Sequence, residues 1–246
     1  MRHAAISLIL AAVLTLSGTC LAQTGGGIHV WEDAVMPDPT VYLPVPHSMD
    51  SELIKSDLVW HEWGKSMRDT ERGARAKADA NSSMDYLCSI FSEPMGITLS
   101  KENTPVIYKF LEDCASTTYL KCPVNAKKHF KRTRPYIQFD EGTLVPEKET
   151  RVTGKISYSY PSGHTIDGWG AALLLAELYP EASSEIFKVG YEYGISRIIA
   201  GYHWHSDVVA GRMVASAEFA TLQSSREFQK ALKKARKELK QKLAQK

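Results

Sequence analysis

The stretch from Gly163 to Leu178 constrains the fold most, because it carries a nearly unbroken apolar run (GWGAALLLAEL) that ends at Tyr179-Pro180. A run of this length closed by a proline predicts a strongly apolar helix. Helical patterns flank it on both sides, and the chain shows no convincing strand pairs, internal repeats or low-complexity blocks. We therefore predict an all-α, single-domain bundle of about eight helices without significant sheet.

The remaining helices are predicted from apolar periodicity, capping residues and prolines. They are expected over residues 50–68, 71–80, 82–91, 104–120, 124–134, 181–199, 205–222 and 226–246. Residues 136–160 lack clear periodicity, so we predict a long loop there, and a loop of that length inside a domain is usually functional or disordered. The all-α domain as a whole is expected to span residues 48–246.

Residues 1–22 have the layout of a secretory signal peptide. A short basic start is followed by an apolar run (AAISLILAAVLTL) and by small residues that favour cleavage after Ala22. The apolar run is too short to span a bilayer comfortably, which takes about 20 residues. We expect export to the periplasm or beyond, with no membrane span after cleavage.

Residues 23–47 carry three consecutive glycines and four prolines, which predicts an extended arm without regular helix. After cleavage the chain keeps three cysteines, and an oxidising compartment would permit one bridge. Cys114 and Cys122 are the closest pair in sequence and form the candidate disulfide, whereas Cys88 would stay unpaired. Three buried free thiols are the alternative.

The charge balance indicates no polyanionic partner for the whole chain. Its formal net charge is only +2, so no global field favours nucleic acid or a membrane. The segment from Arg226 to Lys246 differs, because it holds nine basic and two acidic residues. We expect it to form an amphipathic helix folded on the body, with contact to an acidic surface as the alternative.

Two clusters supply candidate anion-binding groups. Lys127 and Arg134 are seven residues apart, nearly two helical turns, so on a helix both would project from one face. Two cations on one face are unfavourable unless they share an anion, and Arg offers a planar fork that matches phosphate. Ser162, Gly163 and His164 begin the apolar helix, where free N–H groups and the positive dipole end suit an anion.

The third cluster is Ser196-Arg197, His203 and Asp207. His203 and Asp207 are four residues apart, so on a helix they would share a face. A carboxylate that bonds one imidazole nitrogen leaves the other free as a nucleophile. A metal site formed by His203, His205 and Asp207 is the alternative, although three nearby cations would oppose it.

Taken together, these clusters resemble the phosphatase signature K-x6-RP, PSGH and SR-x5-H-x3-D of the type-2 phosphatidic acid phosphatase superfamily. That superfamily includes bacterial non-specific acid phosphatases, lipid phosphatases and vanadium haloperoxidases. The segments TERG at 70–73, YPSGHT at 160–165 and GYHW at 201–204 are similar to class A bacterial acid phosphatases. The resemblance covers about residues 40–245.

The resemblance implies an exported acid phosphatase that hydrolyses a broad range of phosphate monoesters and can transfer phosphoryl groups to alcohols. His203 would become a phosphohistidine, Asp207 would orient it, and His164 would act as general acid and base. The implied phosphate ligands are Lys127, Arg134, Ser162, Gly163 and Arg197. No metal or cofactor is implied, and self-association into a homo-oligomer is expected.

Two other functions fit parts of the pattern. A vanadium-dependent haloperoxidase would use the same cage, but the chain is short for that group. A secreted phosphate-binding protein without turnover would keep the cage and lose a catalytic group, whereas every catalytic position of the signature is present.

Overall fold

The described chain is a helical bundle. This computed structural model describes residues 34–115, 122–155 and 157–245, and within these ranges it contains no β-strand. The prediction of an all-α bundle without sheet is confirmed. The α-helices are α1 (Pro39–Tyr42), α2 (Ile54–Ser66), α3 (Glu71–Ala78), α4 (Met84–Met95), α5 (Pro105–Cys114), α6 (Cys122–Phe130), α7 (Pro135–Gln138), α8 (Thr150–Thr153), α9 (Gly163–Leu178), α10 (Ser183–Ile199), α11 (His205–Leu222) and α12 (Arg226–Leu243).

Helix α9 lies at the centre and packs against α4, α10, α11 and α12. Its apolar side chains form the middle of the main core, where Ile166, Leu174 and Leu175 are at most 1% exposed. A helix that is apolar on nearly every side is stable only when neighbours cover it all round. The long α10 and α11 supply most of that cover, so the N-terminus of α9 is held against the turn that joins them.

Close approach of α9 and α10 depends on small residues. A Cβ added to Gly168 would lie 2.3 Å from Cδ1 of Tyr193, and one added to Gly190 would lie 2.6 Å from the Ala172 methyl. Both distances are too short for real carbon contacts, so the two helices can meet this closely only because these positions are glycine. The contact fixes Tyr193 beside the first turn of α9.

The basic segment at the end of the chain is helix α12, which packs its apolar side on α5 and α9. Phe228, Leu232 and Leu239 are buried there. Glu238 accepts hydrogen bonds from the backbone N–H groups of Val106 (3.3 Å) and Ile107 (2.8 Å), in the first turn of α5. A carboxylate at a helix N-terminus satisfies otherwise unpaired N–H groups and complements the helix dipole.

Several boundaries differ from the expected ones. Helix α2 begins at Ile54 rather than at residue 50, because Asp50 bonds the Ser48 hydroxyl (2.5 Å) and caps no helix. The arm contains one helical turn, α1, since Asp38 caps it and Pro39 occupies its first position, where a missing N–H costs nothing. The expected loop at 136–160 holds three short helical segments, namely most of α7, a 3₁₀ turn at Pro146–Lys148, and α8.

The predicted signal peptide lies outside the described residues, as does the end of the helix expected over 104–120. Among the described helices, none combines the length and apolar character that crossing a bilayer requires.

Candidate active site

A cavity of about 390 Å³ opens where the N-terminus of α9 meets the turn between α10 and α11. It brings together four of the predicted site residues, namely Arg134, His164, Arg197 and His203. The segment after α7 forms another wall with Glu147, Lys148, Thr150, Thr153, Lys155 and Ser157, and Tyr136 of α7 and Tyr202 of the turn after α10 complete the lining. The lining does not include four other predicted site residues, Lys127, Ser162, Gly163 and Asp207.

His203 and Asp207 are in contact, but they do not lie on one helix face as predicted. His203 precedes α11 instead of lying on it, in a turn that Gly201 opens with a left-handed φ of 86°. Asp207 is the third residue of α11, and its Oδ2 accepts the Trp204 N–H (2.9 Å). The same oxygen lies 3.3 Å from Nδ1 of His203. The carboxylate therefore fixes both the helix start and the imidazole.

Nε2 of His203 faces the cavity, where Nη1 of Arg134 lies 3.2 Å away. Loss of hydration on burial, together with the charges of Arg134, Lys127 and Arg197, lowers the pKa of His203 well below its usual 6.5. The ring is thus neutral near pH 7. With Nδ1–H donated to Asp207, Nε2 accepts from Nη1 of Arg134, so its lone pair can attack an electrophile once that N–H turns to the bound ligand.

Asp207 is itself held by Arg132, which the sequence patterns did not single out. Nη1 of Arg132 donates to Oδ1 of Asp207 (2.6 Å), and Nη2 donates to Oδ2 of Asp57 (2.7 Å). All three side chains are at least nine-tenths buried. Burial raises the pKa of the Asp207 carboxyl, and the Arg132 guanidinium opposes that rise. Arg132 therefore helps keep the partner of His203 ionised.

Arg134 and Arg197 supply two guanidinium groups on one side of His203. Arg134 is held by the carbonyls of Ser157 (2.8 Å) and Tyr202 (3.0 Å). Arg197 is 2% exposed, yet its Nε and Nη1 have no hydrogen-bond partner. Its guanidinium carbon lies 4.8 Å from the centre of the Tyr202 ring. Buried N–H groups are normally satisfied, so these unpaired donors are suited to binding an anion.

Lys127 reaches the site from α6. That helix ends at Phe130, and Lys131 adopts a left-handed φ of 50°. The prediction that Lys127 and Arg134 project from one helix face is therefore wrong. Nζ of Lys127 donates to the carbonyls of Tyr158 (2.9 Å) and Pro161 (2.7 Å). Burial and the nearby Arg134 lower its pKa to about 7. Its charge therefore acts on the site from behind the backbone that precedes α9.

Ser162, Gly163 and His164 begin α9 as predicted. The Ser162 hydroxyl is the N-cap and accepts from the Thr165 hydroxyl (2.9 Å), which leaves its own O–H free to donate elsewhere. Gly163 and His164 are the first helical residues, whose N–H groups have no carbonyl four residues earlier in the helix. A Cβ on Gly163 would meet no atom within 4 Å, so its backbone faces open space.

His164 is positioned by the carbonyl of Ala80, which lies 3.3 Å from its Nε2. Its ring stacks on Tyr193, with centroids 6.2 Å apart and an interplanar angle of 24°. Loss of hydration and the charge of Arg197 lower the pKa of His164 well below its usual 6.5. When protonated, it is a strong acid that readily gives a proton to a bound ligand.

The alternative metal site is not assembled. The His205 ring stacks on Trp60, with centroids 4.5 Å apart, and its ligand atoms do not group with those of His203 and Asp207. Across residues 34–115, 122–155 and 157–245, one group of possible ligands occurs, at His61, Glu62 and Glu141. Lys65 already supplies a cation to that group, with Nζ 2.7 Å from Glu141 Oε1.

The candidate disulfide stays a prediction. Cys114 is buried at the end of α5, but the side chain of Cys122 lies outside the described residues. Cys88 is a buried free thiol in α4.

The sequence is similar to those of known phosphatases. Residues 111–226 match the family model described as "PAP2 superfamily". The chain is 39% identical to the non-specific acid phosphatase of Providencia stuartii, over 82% of this chain and 80% of that one. It is 37% identical to the non-specific acid phosphatase of Salmonella typhimurium, over 89% and 86%. An acid phosphatase of Zymomonas mobilis is 34% identical over 82% and 75%.

Proposed function

Because the chain belongs to the PAP2 superfamily as a class A acid phosphatase, we propose that it works through a phosphohistidine on His203, without a metal ion, after export from the cytoplasm. Its relatives support phosphatase activity on phosphate monoesters. The observation that carries the proposal is the placement of His203. One ring nitrogen lies 3.3 Å from a buried carboxylate, and the other lies 3.2 Å from the guanidinium of Arg134.

In the first step, Nε2 of His203 attacks phosphorus while the bond from phosphorus to the leaving oxygen breaks. His164 gives its proton to that oxygen, so the alcohol departs neutral. The new imidazolium keeps its Nδ1–H on Asp207, whose negative charge stabilises it. Phosphoryl transfer asks mainly for positioning and charge neutralisation, and protein cations can supply both.

The phosphoryl oxygens would be held by donors on three sides. Arg197 offers unpaired guanidinium N–H groups. Arg134 would contribute its positive charge and the N–H that now bonds Nε2 of His203. The first N–H groups of α9, at Gly163, and the Ser162 hydroxyl complete the cradle. Lys127 adds positive charge from behind it. This arrangement explains why Nε and Nη1 of Arg197 are buried without a protein partner.

In the second step, neutral His164 takes a proton from water, and the oxygen of that water attacks phosphorus. The nitrogen–phosphorus bond breaks and returns its electron pair to His203, and inorganic phosphate leaves. An alcohol in place of water would give phosphotransfer. The cavity of about 390 Å³ leaves space beside the phosphate for leaving groups of different shapes. This space supports hydrolysis of a broad range of monoesters.

The test is to trap the intermediate. Mixing with ³²P-labelled monoester and denaturing at alkaline pH, where phosphohistidine survives, should leave label on the enzyme. Trypsin would release His203 and His205 in one peptide, residues 198–212, so fragment masses must place the phosphate on His203. His203→Ala should lose both label and turnover, whereas His205→Gln should keep both. Label that persists in His203→Ala would place the nucleophile elsewhere.

Metal independence and export have separate tests. Activity should survive exhaustive EDTA treatment, and a loss restored only by zinc would contradict the proposed mechanism. Protein recovered from the periplasm should begin at Gln23, as N-terminal sequencing can measure. An intact N-terminus at Met1 would count against cleavage.

A further inference from the structure

The carbonyl oxygen of Ala80 accepts two side chains of the cavity. Nζ of Lys148 donates to it at 2.8 Å, and Nε2 of His164 lies 3.3 Å from it. Both residues line the cavity, and Lys148 belongs to the wall formed after α7. One backbone atom thus connects the proposed general acid to a residue 16 positions earlier in the chain that no signature motif includes.

The backbone around Ala80 is fixed from several directions. Asp79 is fully buried, and its carboxylate accepts from Ser196 (2.5 Å) and Tyr86 (2.7 Å). The next carbonyl, that of Asn81, accepts from the Tyr193 hydroxyl (2.9 Å). Because the carbonyl of Ala80 cannot easily move, the two donors must share it where it stands.

Sharing weakens the bond to the imidazole. A carbonyl oxygen has two lone pairs, and an ammonium donor on one of them reduces the negative charge available to the other. The 2.8 Å and 3.3 Å distances agree with this, since the ammonium bond is the shorter. The positive charge of Lys148 also repels a protonated imidazole that is bonded to the same oxygen.

Other charged groups act on His164 too. Arg197 faces it from α10 and His203 from the turn after α10, and Arg197 lowers its pKa more than Lys148 does. The Tyr193 ring, also from α10, stacks on it and is neutral. Among these groups, Lys148 is the one that competes for the same hydrogen-bond acceptor and takes no part in the proposed phosphate cradle.

We propose that Lys148 is a positioning residue for His164: it shares the Ala80 carbonyl oxygen and so sets how readily His164 gives up its proton. This inference rests on the general-acid role proposed above for His164. Without Lys148, the bond from His164 to Ala80 strengthens and the imidazolium holds its proton longer. Esters of poor leaving groups, which depend most on that proton, should suffer most.

The experiment compares pH profiles of kcat/KM for p-nitrophenyl phosphate and for a simple alkyl phosphate. In Lys148→Met the alkaline limb should move toward neutrality, because the substitution removes a like charge near His164 and leaves the Ala80 carbonyl to the imidazole alone. At acidic pH the alkyl substrate should lose several-fold more activity than the p-nitrophenyl substrate. Lys148→Gln removes the charge but can still donate to Ala80, so it should show a smaller shift.

Lys155→Met is the matched control, because it removes a lysine from the same cavity wall but not from Ala80. Its alkaline limb should stay where the wild-type limb lies. If the limb is equally unmoved in Lys148→Met and Lys148→Gln, the inference is overturned. The general-acid role is tested separately by His164→Asn. If the kcat/KM values of that variant for both substrates equal those of the wild type, His164 is not the general acid. That result would contradict the proposed function, independently of the outcome for Lys148.

Discussion

Arg132 offers the sharpest test of how the site is supported. Its guanidinium bonds Asp57 (2.7 Å), Asp207 (2.6 Å) and the Ser206 hydroxyl (2.7 Å), and its side chain is only 7% exposed. Replacing it in Arg132→Met keeps much of the buried volume but removes the one cation that these two carboxylates share. Removing one partner of a buried ion pair typically costs about 3–5 kcal/mol, because the other charge stays buried.

The structure places the expected loss at the lower end, about 3 kcal/mol. Each carboxylate keeps a backbone donor after the substitution, from Ser206 N–H to Asp57 (2.7 Å) and from Trp204 N–H to Asp207 (2.9 Å). The loss should also depend on pH. Without the guanidinium the pKa of Asp207 rises further, so the carboxyl protonates at acidic pH and its burial costs less. The deficit is therefore largest near pH 7 and shrinks toward pH 4.

The measurement is urea unfolding followed by far-UV circular dichroism at pH 7 and at lower pH. Arg236→Met is the matched control, because that arginine pairs with Glu177 while both side chains stay partly exposed, at 42% and 35%, and such pairs contribute less than about 1 kcal/mol. The double variant Arg132→Met/Asp57→Asn should recover part of the loss. A cost for Arg132→Met no greater than that of Arg236→Met, or one that grows toward acid, would refute the reasoning.

Two further predictions follow from the same geometry. Gly168→Ala should destabilise the fold by about 1–3 kcal/mol, because its Cβ would lie 2.3 Å from Tyr193; Gly163→Ala, which has open space, should change the urea midpoint little, and equal midpoints would contradict the packing argument. In the wild type, kcat/KM should fall as pH rises through the pKa of His164, which lies below 6.5, because only the protonated imidazole can act as acid. A plateau that continues above pH 7 in the pH–rate profile would contradict that assignment.

Local signals predicted the helices of the core well. Helix α9 runs from Gly163 to Leu178 and α11 from His205 to Leu222, and both have the expected boundaries. A serine N-cap and an apolar run closed by proline define α9 without help from the rest of the chain. Helix starts that depend on tertiary contacts were less predictable, as Asp50 shows by bonding Ser48 instead of capping α2.

The sequence predicted which residues lie near one another better than it predicted how they are arranged. Helical spacing suggested that Lys127 would meet Arg134, and His203 would meet Asp207, on shared helix faces. In the structure each pair spans a helix end, because Lys131 and Gly201 adopt positive φ values. Spacing along the chain is compatible with both arrangements, so only the backbone turn decides which one forms.

Sequence periodicity did not predict contacts between residues that are far apart in the chain. Arg132 bonds Asp57 and Asp207, each 75 residues away, and Lys148 reaches Ala80 across 68 residues. A single arginine in a basic stretch resembles a solvated surface residue until the fold buries it. The one hint was its position two residues before Arg134, within the motif-bearing segment KRTRP.

The seating of α12 determines which side of the protein would adhere to a charged support. Arg236 bonds Glu177 near the C-terminal end of α9 (2.6 Å), so this part of α12 lies about 21 Å, by helical rise, from Gly163 at the cavity end of α9. Its outward side chains include Lys233, Lys237 and Lys240, all exposed. A negatively charged support, such as a cation-exchange bead or silica, would therefore bind the protein through α12. The cavity at the other end of α9 would stay away from the support.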